Sequence, residues 1–221
     1  NDNDIDTHFL LTKYSFIKNL MHLCIKKIDM IIRWIFRFIF KLLGWQLKTE
    51  AIKGIKQSIT IAAPHTANMD LPIASAAFDM MGLPLRFTVK KEWVRFPFKG
   101  IMTNLGAIAI DRSPKKPGDP RPSMVDAMTN LFKENPELHV MVTPEGTRSL
   151  RTEWKTGFWY TAKAANVPIL LGYLDYKNKI AGIGKIIYPT DLETDMRAMM
   201  DFYKDITPCH PERFSLDQRY I

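Results

Sequence analysis

Cysteine is almost missing from this chain. The 221 residues hold two, Cys24 and Cys209, which excludes a disulfide framework and any CxxC metal pair. The five histidines, His8, His22, His65, His139 and His210, stand far apart, and no metal site is expected from them. No uncharged apolar run approaches the ~20 residues that span a bilayer. No small-residue cleavage site follows the apolar N-terminal stretch, so a signal peptide is not expected. The sequence contains no nucleic-acid-binding module and no internal repeat.

What the chain does have is positive charge. Lys and Arg number 31 against 23 Asp and Glu, for a net charge of +8. Such an excess implies an anionic partner. With nucleic acid set aside, lipid headgroups or a phosphate-bearing substrate remain. Hydrophobic residues make up 46% of the chain, enough for a core. The length suits one domain with an appendage.

The appendage is N-terminal. Asn1 to His8 is polar and acidic and is expected to be disordered. Residues 9–48 are apolar but salted with charge. On a helical wheel Lys26, Lys27, Asp29, Arg33, Arg37, Lys41 and Lys48 fall on one side. Ile28, Ile31, Ile32, Ile35, Phe36, Ile39, Leu42 and Leu43 fill the other, with Trp34 and Trp45 near an edge of the charged sector. A basic face, a broad apolar face and tryptophans at the boundary describe a helix lying in a membrane interface. The alternative is an amphipathic helix packed on the domain core. Leu10 to Ile25 is expected to form a second helix of this kind, and Gly44 to Gln57 reads as a linker.

The remainder, 49–221, reads as one globular domain in which strands and helices alternate. Strands are expected over 58–63, 85–89, 107–111, 138–143, 168–175 and 179–188, from apolar, β-branched runs bounded by turn residues. Helices are expected over 69–81, 123–134, 154–165 and 192–203, the second capped by Ser123. Such alternation implies an α/β fold, a mixed but largely parallel sheet flanked by helices. Ser113 to Pro122, rich in Pro, Lys and Gly, reads as a surface loop. Gly182 and Gly184 mark bulges in the last strand, and His139 reads as a satisfied core residue.

The chemistry centres on Pro64-His65-Thr66-Ala67-Asn68-Met69-Asp70. His65 is expected in a strand-to-helix turn and Asp70 in the first helical turn. The carboxylate would then accept a hydrogen bond from one imidazole nitrogen and leave the other as a base. Downstream, Glu145-Gly146-Thr147-Arg148 also follows an apolar strand. Ligands in open α/β sheets bind beyond the carboxyl ends of strands, so both blocks point to one crevice. Arg148 offers a planar fork of donors suited to phosphate. On these residues alone, a turn in which Glu145 and Arg148 pair is the simpler reading.

The His65–Asp70 block, Gly106-Ala107-Ile108-Ala109-Ile110-Asp111-Arg112, Pro144-Glu145-Gly146-Thr147-Arg148-Ser149 and Val167-Pro168-Ile169 occur in that order. Together they resemble the glycerophospholipid acyltransferases, of the 1-acylglycerol-3-phosphate acyltransferase type, over roughly 59–173. The resemblance implies acyl transfer from an acyl thioester to a lysophospholipid hydroxyl, most directly 1-acylglycerol-3-phosphate giving phosphatidic acid. It implies His65 as general base, Asp70 as its partner, and Arg112, Glu145, Gly146, Thr147 and Arg148 at the acceptor phosphate. Lys90, Lys91 and Gly106 are further candidates. No cofactor is implied; acyl-CoA or acyl carrier protein is the co-substrate. The expected location is peripheral or monotopic, on an anionic membrane at the cytoplasmic face.

Three departures stand out. Pro64 precedes the histidine where Asn is frequent, Ala109 replaces a bulky residue, and Leu170-Leu171-Gly172 replaces a second Val-Pro. They bear on acceptor and chain length and leave the pair and both arginines intact. Three other readings remain open: a phosphate-free acceptor such as a lyso-ornithine lipid, a lipid esterase using the same pair on water, and a catalytically silent membrane-binding protein of the same fold, which the intact His65 and Asp70 disfavour.

Overall fold

The computed structural model describes residues 24, 27–49, 52–83, 86–90, 106–110 and 123–221, with 88–90 and 109–110 as backbone. The N-terminal disorder expected over 1–8, the loop Ser113–Pro122 and all but residue 24 of the helix expected over Leu10–Ile25 lie outside these.

A helix, α1, runs over 27–42. It is followed by strand β1 (Gln46–Leu47), β2 (Gln57–Ala62), α2 (Asp70–Met80), β3 (Arg86–Lys90) and β4 (Ala107–Ile110). Then come α3 (Met124–Glu134), β5 (Leu138–Val142), α4 (Gly157–Ala165), β6 (Ile169–Asp175), β7 (Ile180–Ile187) and α5 (Leu192–Tyr203). A short 3-10 turn, Pro211–Arg213, lies in the C-terminal segment. Among the described residues seven strands form one sheet in the order β1-β7-β6-β2-β5-β3-β4. All neighbours run parallel except β6 and β7. The α/β class and the mostly parallel sheet are as the alternation of elements implied.

The sheet is buried on both faces, and strand alternation divides its side chains between two cores. Ile59 and Ile61 of β2, Val140 of β5 and Ile169 and Leu171 of β6 pack against α3, α4 and α5, with Phe158, Met196, Met199 and Tyr203 fully or nearly buried. On the other face Ile73, Ala76 and Ala77 of α2 meet Leu174, Ala181, Phe40 and Trp45. Ser123 caps α3 as expected: its hydroxyl accepts from Asp126 N–H at 3.0 Å, and Asp126 reaches back to the Ser123 N–H.

Three local readings change. Gln46–Leu47, placed in a linker by the sequence, is an edge strand pairing in parallel with Ile180 and Ala181. Helix α4 starts at Gly157, three residues later than expected. The Trp154 N–H is held by Asp217 Oδ2 at 3.0 Å and the Lys155 N–H by the Pro144 carbonyl at 2.9 Å, which keeps the chain out of the helix there. One bulge falls at Gly184: Leu171 pairs with Lys185 while Gly172 pairs with Ile183, leaving Gly184 as the extra residue.

Helix α1 packs on α2 through Phe36 and Phe40. Its charged side also turns toward the protein: Arg33 and Arg37 both donate to Asp79 of α2. Facing out is an apolar row that includes Ile31, Trp34, Phe38 and Leu42, with Trp34 66% and Leu42 71% exposed. Trp34 stacks on Phe38 with centroids 5.7 Å apart. Trp45, read from the sequence as a boundary tryptophan, is buried in the core. Among the described residues no helix is long and apolar enough to cross a membrane.

Candidate active site

Strands β6, β2 and β5 are neighbours and parallel, so their carboxyl ends lie along one edge of the sheet. The chain that leaves β2 carries His65, the chain that leaves β5 carries Glu145 to Arg148, and the chain that leaves β6 carries Tyr176. Parallel pairing thus collects at one edge residues that are distant in sequence.

Asp70, the first residue of α2, is buried. Its Oδ2 lies 3.1 Å from His65 Nδ1 and accepts the Thr66 and Ala67 N–H groups, each at 2.9 Å. Its Oδ1 accepts the Tyr176 hydroxyl at 2.6 Å. Burial pushes the Asp70 carboxyl up, but the bonds from His65, Tyr176 and the Ala67 N–H outweigh it and hold the group below the usual carboxylate value. An ionised carboxylate only accepts, so Nδ1 of His65 is the donor in this contact and Nε2 is the nitrogen left without a bond to Asp70. Tyr176 is pushed well above its ordinary value by burial and by the Asp70 charge, so it stays a hydrogen-bond donor.

Glu145 is placed differently from the sequence reading. It is buried, its Oε1 accepts the His65 backbone N–H at 3.1 Å, and its Oε2 has no hydrogen-bond partner. Among the described residues no ion pair joins it to Arg148. Burial raises its pKa from 4.5 to about 7, against the pull of its backbone N–H contacts. The carboxyl group therefore ties the loop after β5 to the loop after β2. Gly146 takes a φ of +67°, a left-handed conformation that strains any residue with a Cβ, although the Lys155 Nζ 2.6 Å from that Cβ position is the end of a flexible side chain and could move. The Thr147 hydroxyl accepts the Ser149 N–H at 3.3 Å.

Arg148 is exposed and lines a cavity of about 220 Å³ together with His65 and Asp70. The rest of that cavity is mostly apolar, running between α2 and the sheet past Leu71, Ala74, Phe78, Met81, Phe87 and Met141, with Thr143 and Tyr173 also on its wall. The two residues on which the sequence reading most depended, 65 and 148, therefore share one pocket. Gly106 sits at the start of β4 with a φ of +95°. Arg112 and Lys91 lie outside the described residues, as does the Lys90 side chain. His139 is buried, with Nδ1 2.8 Å from Ser58 Oγ, as a satisfied core residue would be.

Tyr176 was not singled out by the sequence. It sits in the turn after β6, 106 positions from Asp70 in the chain. No local pattern marks such a residue; only the parallel pairing of β6 with β2 brings it close.

The sequence matches the family model described as Acyltransferase over residues 46–170. That is more than half of the chain, and the protein belongs to the acyltransferase family. Among solved structures it is similar to the 1-acyl-sn-glycerophosphate (LPA) acyltransferase PlsC from Thermotoga maritima, with a TM-score of 0.48 and 17% identity over 76% of this chain and 72% of that one. No curated protein matches the sequence significantly.

Proposed function

We propose that this acyltransferase moves a fatty acyl chain from an acyl thioester to the free hydroxyl of a lysophospholipid, most directly 1-acylglycerol-3-phosphate to give phosphatidic acid. The observation that carries this reading is the shared cavity. A braced imidazole, an exposed guanidinium and an apolar channel meet in one place.

In this reading Nε2 of His65 takes the acceptor hydroxyl proton as the oxygen attacks the thioester carbonyl. The tetrahedral intermediate collapses, the carbon–sulfur bond breaks, and His65 returns the proton to the departing thiolate. Asp70 keeps the proton on Nδ1 and stabilises the imidazolium between these steps. General base catalysis of this kind contributes on the order of 10²–10⁴-fold. Arg148, with Arg112 as a second cation, would hold the acceptor phosphate, and fixing both reactants supplies much of the remaining rate. The apolar channel takes the acyl chain, at about 0.8 kcal/mol per buried methylene. No cofactor is required; acyl-CoA or acyl carrier protein is the donor.

The exposed apolar row of α1 supports attachment to a membrane surface, as a peripheral or monotopic protein on the cytoplasmic face, with the lysines of the same helix meeting anionic headgroups.

The test is to incubate the purified protein with labelled acyl-CoA and a panel of lysolipids and to identify the product. Labelled phosphatidic acid is expected. Acylation of a phosphate-free lysolipid in preference, or release of free fatty acid without any acceptor, would replace this reading with a different acceptor or with an esterase.

A further inference from the structure

The segment after α5 lies beyond the residues matched to the family, yet it is tied to the active-site edge at three places, the first a bond from the Tyr176 N–H to the Thr207 carbonyl at 2.9 Å. The His210 N–H donates to Thr66 Oγ1 at 3.2 Å, in the loop that carries His65. Further on, the Gln218 N–H donates to the Thr152 carbonyl at 2.9 Å, and Asp217 accepts the Trp154 N–H. The guanidinium of Arg219 bonds both Asp217 and the Trp154 carbonyl. The turn Pro211–Arg213 is thus held between the loop after β2 and the loop after β5.

Beside the Thr66 anchor opens a second cavity, about 590 Å³ in volume. Thr66, Asn68, Arg148, Ser149, His210 and Arg213 line it. Arg148 also lines the apolar cavity, so the two spaces adjoin at this residue and at the His65 loop. Two guanidinium groups on one polar cavity repel one another unless an anion lies between them, and the His210 ring offers a hydrogen-bonding nitrogen beside them. The carboxylate beside them is Glu212. Its Oε1 is 3.6 Å from Arg213 Nε and 3.5 Å from His210 Nδ1, and its side chain is 66% exposed. Contacts that long and that wet neutralise little.

We propose that the C-terminal segment contributes Arg213 and His210 to a phosphomonoester site completed by Arg148, which holds a substrate phosphate while the reacting end of that substrate lies at His65. The proposal deepens the acyl-transfer reading and rests on it for the molecule that carries the phosphate. Two substrates of that reaction carry one: the acceptor headgroup and the 3′-phosphate of a CoA donor. A guanidinium fork recognises either dianion through paired hydrogen bonds.

The test uses the full chain with two probes, glycerol 3-phosphate for the acceptor and adenosine 3′,5′-bisphosphate for the donor, titrated calorimetrically into wild type, Arg213→Gln and Arg213→Lys. Wild type binds one probe, Arg213→Gln weakens it at least tenfold with an unchanged melting temperature, and Arg213→Lys recovers part of the loss. Loss confined to glycerol 3-phosphate assigns the site to the acceptor; loss confined to the bisphosphate assigns it to the donor. Equal affinities in wild type and Arg213→Gln, or no binding of either probe by wild type, overturns the site. Arg213-dependent binding in a protein that acylates no lysolipid would keep the site and remove the transfer reading. Unchanged KM values in an active Arg213→Gln enzyme would do the reverse.

Discussion

Asp70 makes four hydrogen bonds, and each has a distinct consequence. Three lie on Oδ2 and shape the loop that carries His65. The fourth, from Tyr176, is the one contact a conservative substitution removes. Tyr176→Phe should lower kcat on the order of tenfold, since hydrogen bonds to charged groups contribute about 1.5–3 kcal/mol. It should leave KM for both substrates unchanged. The Asp70 carboxyl loses a bond that holds it low, so activity should begin to fail at a higher pH on the acid side than in wild type. A purely structural role for Tyr176 would leave the pH profile in place. Glu145 supplies the other residue-scale prediction. Its pKa rises from 4.5 in the unfolded chain to about 7 in the fold. The native state then binds the extra proton, so this stabilisation is complete below about 4.5 and is lost as pH rises through 7. Glu145→Gln keeps an oxygen for the His65 N–H and cannot ionise. Unfolding free energies of variant and wild type, from urea titration, should diverge in favour of the variant from pH 5 to pH 8, by up to about 3 kcal/mol at 1.36 kcal/mol per pKa unit. Parallel curves would show that the carboxyl is not buried as described.

At the scale of elements, α2 carries Asp70 at its start and roofs the cavity proposed to take the acyl chain. Ala74 and Ala77 keep that roof thin, and both line the cavity. Ala74→Phe should fill part of it. The longest acyl chain that wild type accepts should lose about tenfold in kcat/KM, the equivalent of leaving two methylenes unburied, while shorter chains are unaffected. An unchanged chain-length profile would place the acyl chain elsewhere. The elements themselves were legible in the sequence because their patterns are local. Six strands and four helices appear close to their expected bounds, and the Ser123 cap is where its residue type put it. The two-residue strand Gln46–Leu47 was not legible, because two residues have no alternation to detect and both are exposed. The late start of α4 was equally hidden, since the bonds that delay it come from Asp217 and Pro144. In the site, His65, Asp70 and Arg148 were readable as motifs. Glu145 was read together with its motif neighbours as facing phosphate, yet its side chain is buried and bonded to the His65 backbone N–H. Tyr176 and Arg213 are single residues in unpatterned turns, and tertiary contacts alone give them a place.

At the scale of the whole molecule, α1 is packed on the core, the alternative that the sequence offered beside a membrane interface, and it keeps an apolar row exposed. One side packs on the core through Phe36 and Phe40, while Trp34 and Phe38 remain outside. Fully burying one such side chain is worth about 1.5–3 kcal/mol. Trp34→Glu combined with Phe38→Glu should therefore reduce partitioning onto anionic vesicles at least tenfold while the melting temperature holds, because both side chains are exposed in the fold. Unchanged sedimentation with vesicles would remove α1 as the anchor.

The most direct measurement is single-turnover acyl transfer by His65→Ala beside the wild-type protein, with folding checked by melting temperature. If the imidazole braced by Asp70 is the base, the variant folds normally and loses at least ~100-fold in rate. A folded variant that transfers acyl chains at the wild-type rate would contradict the account.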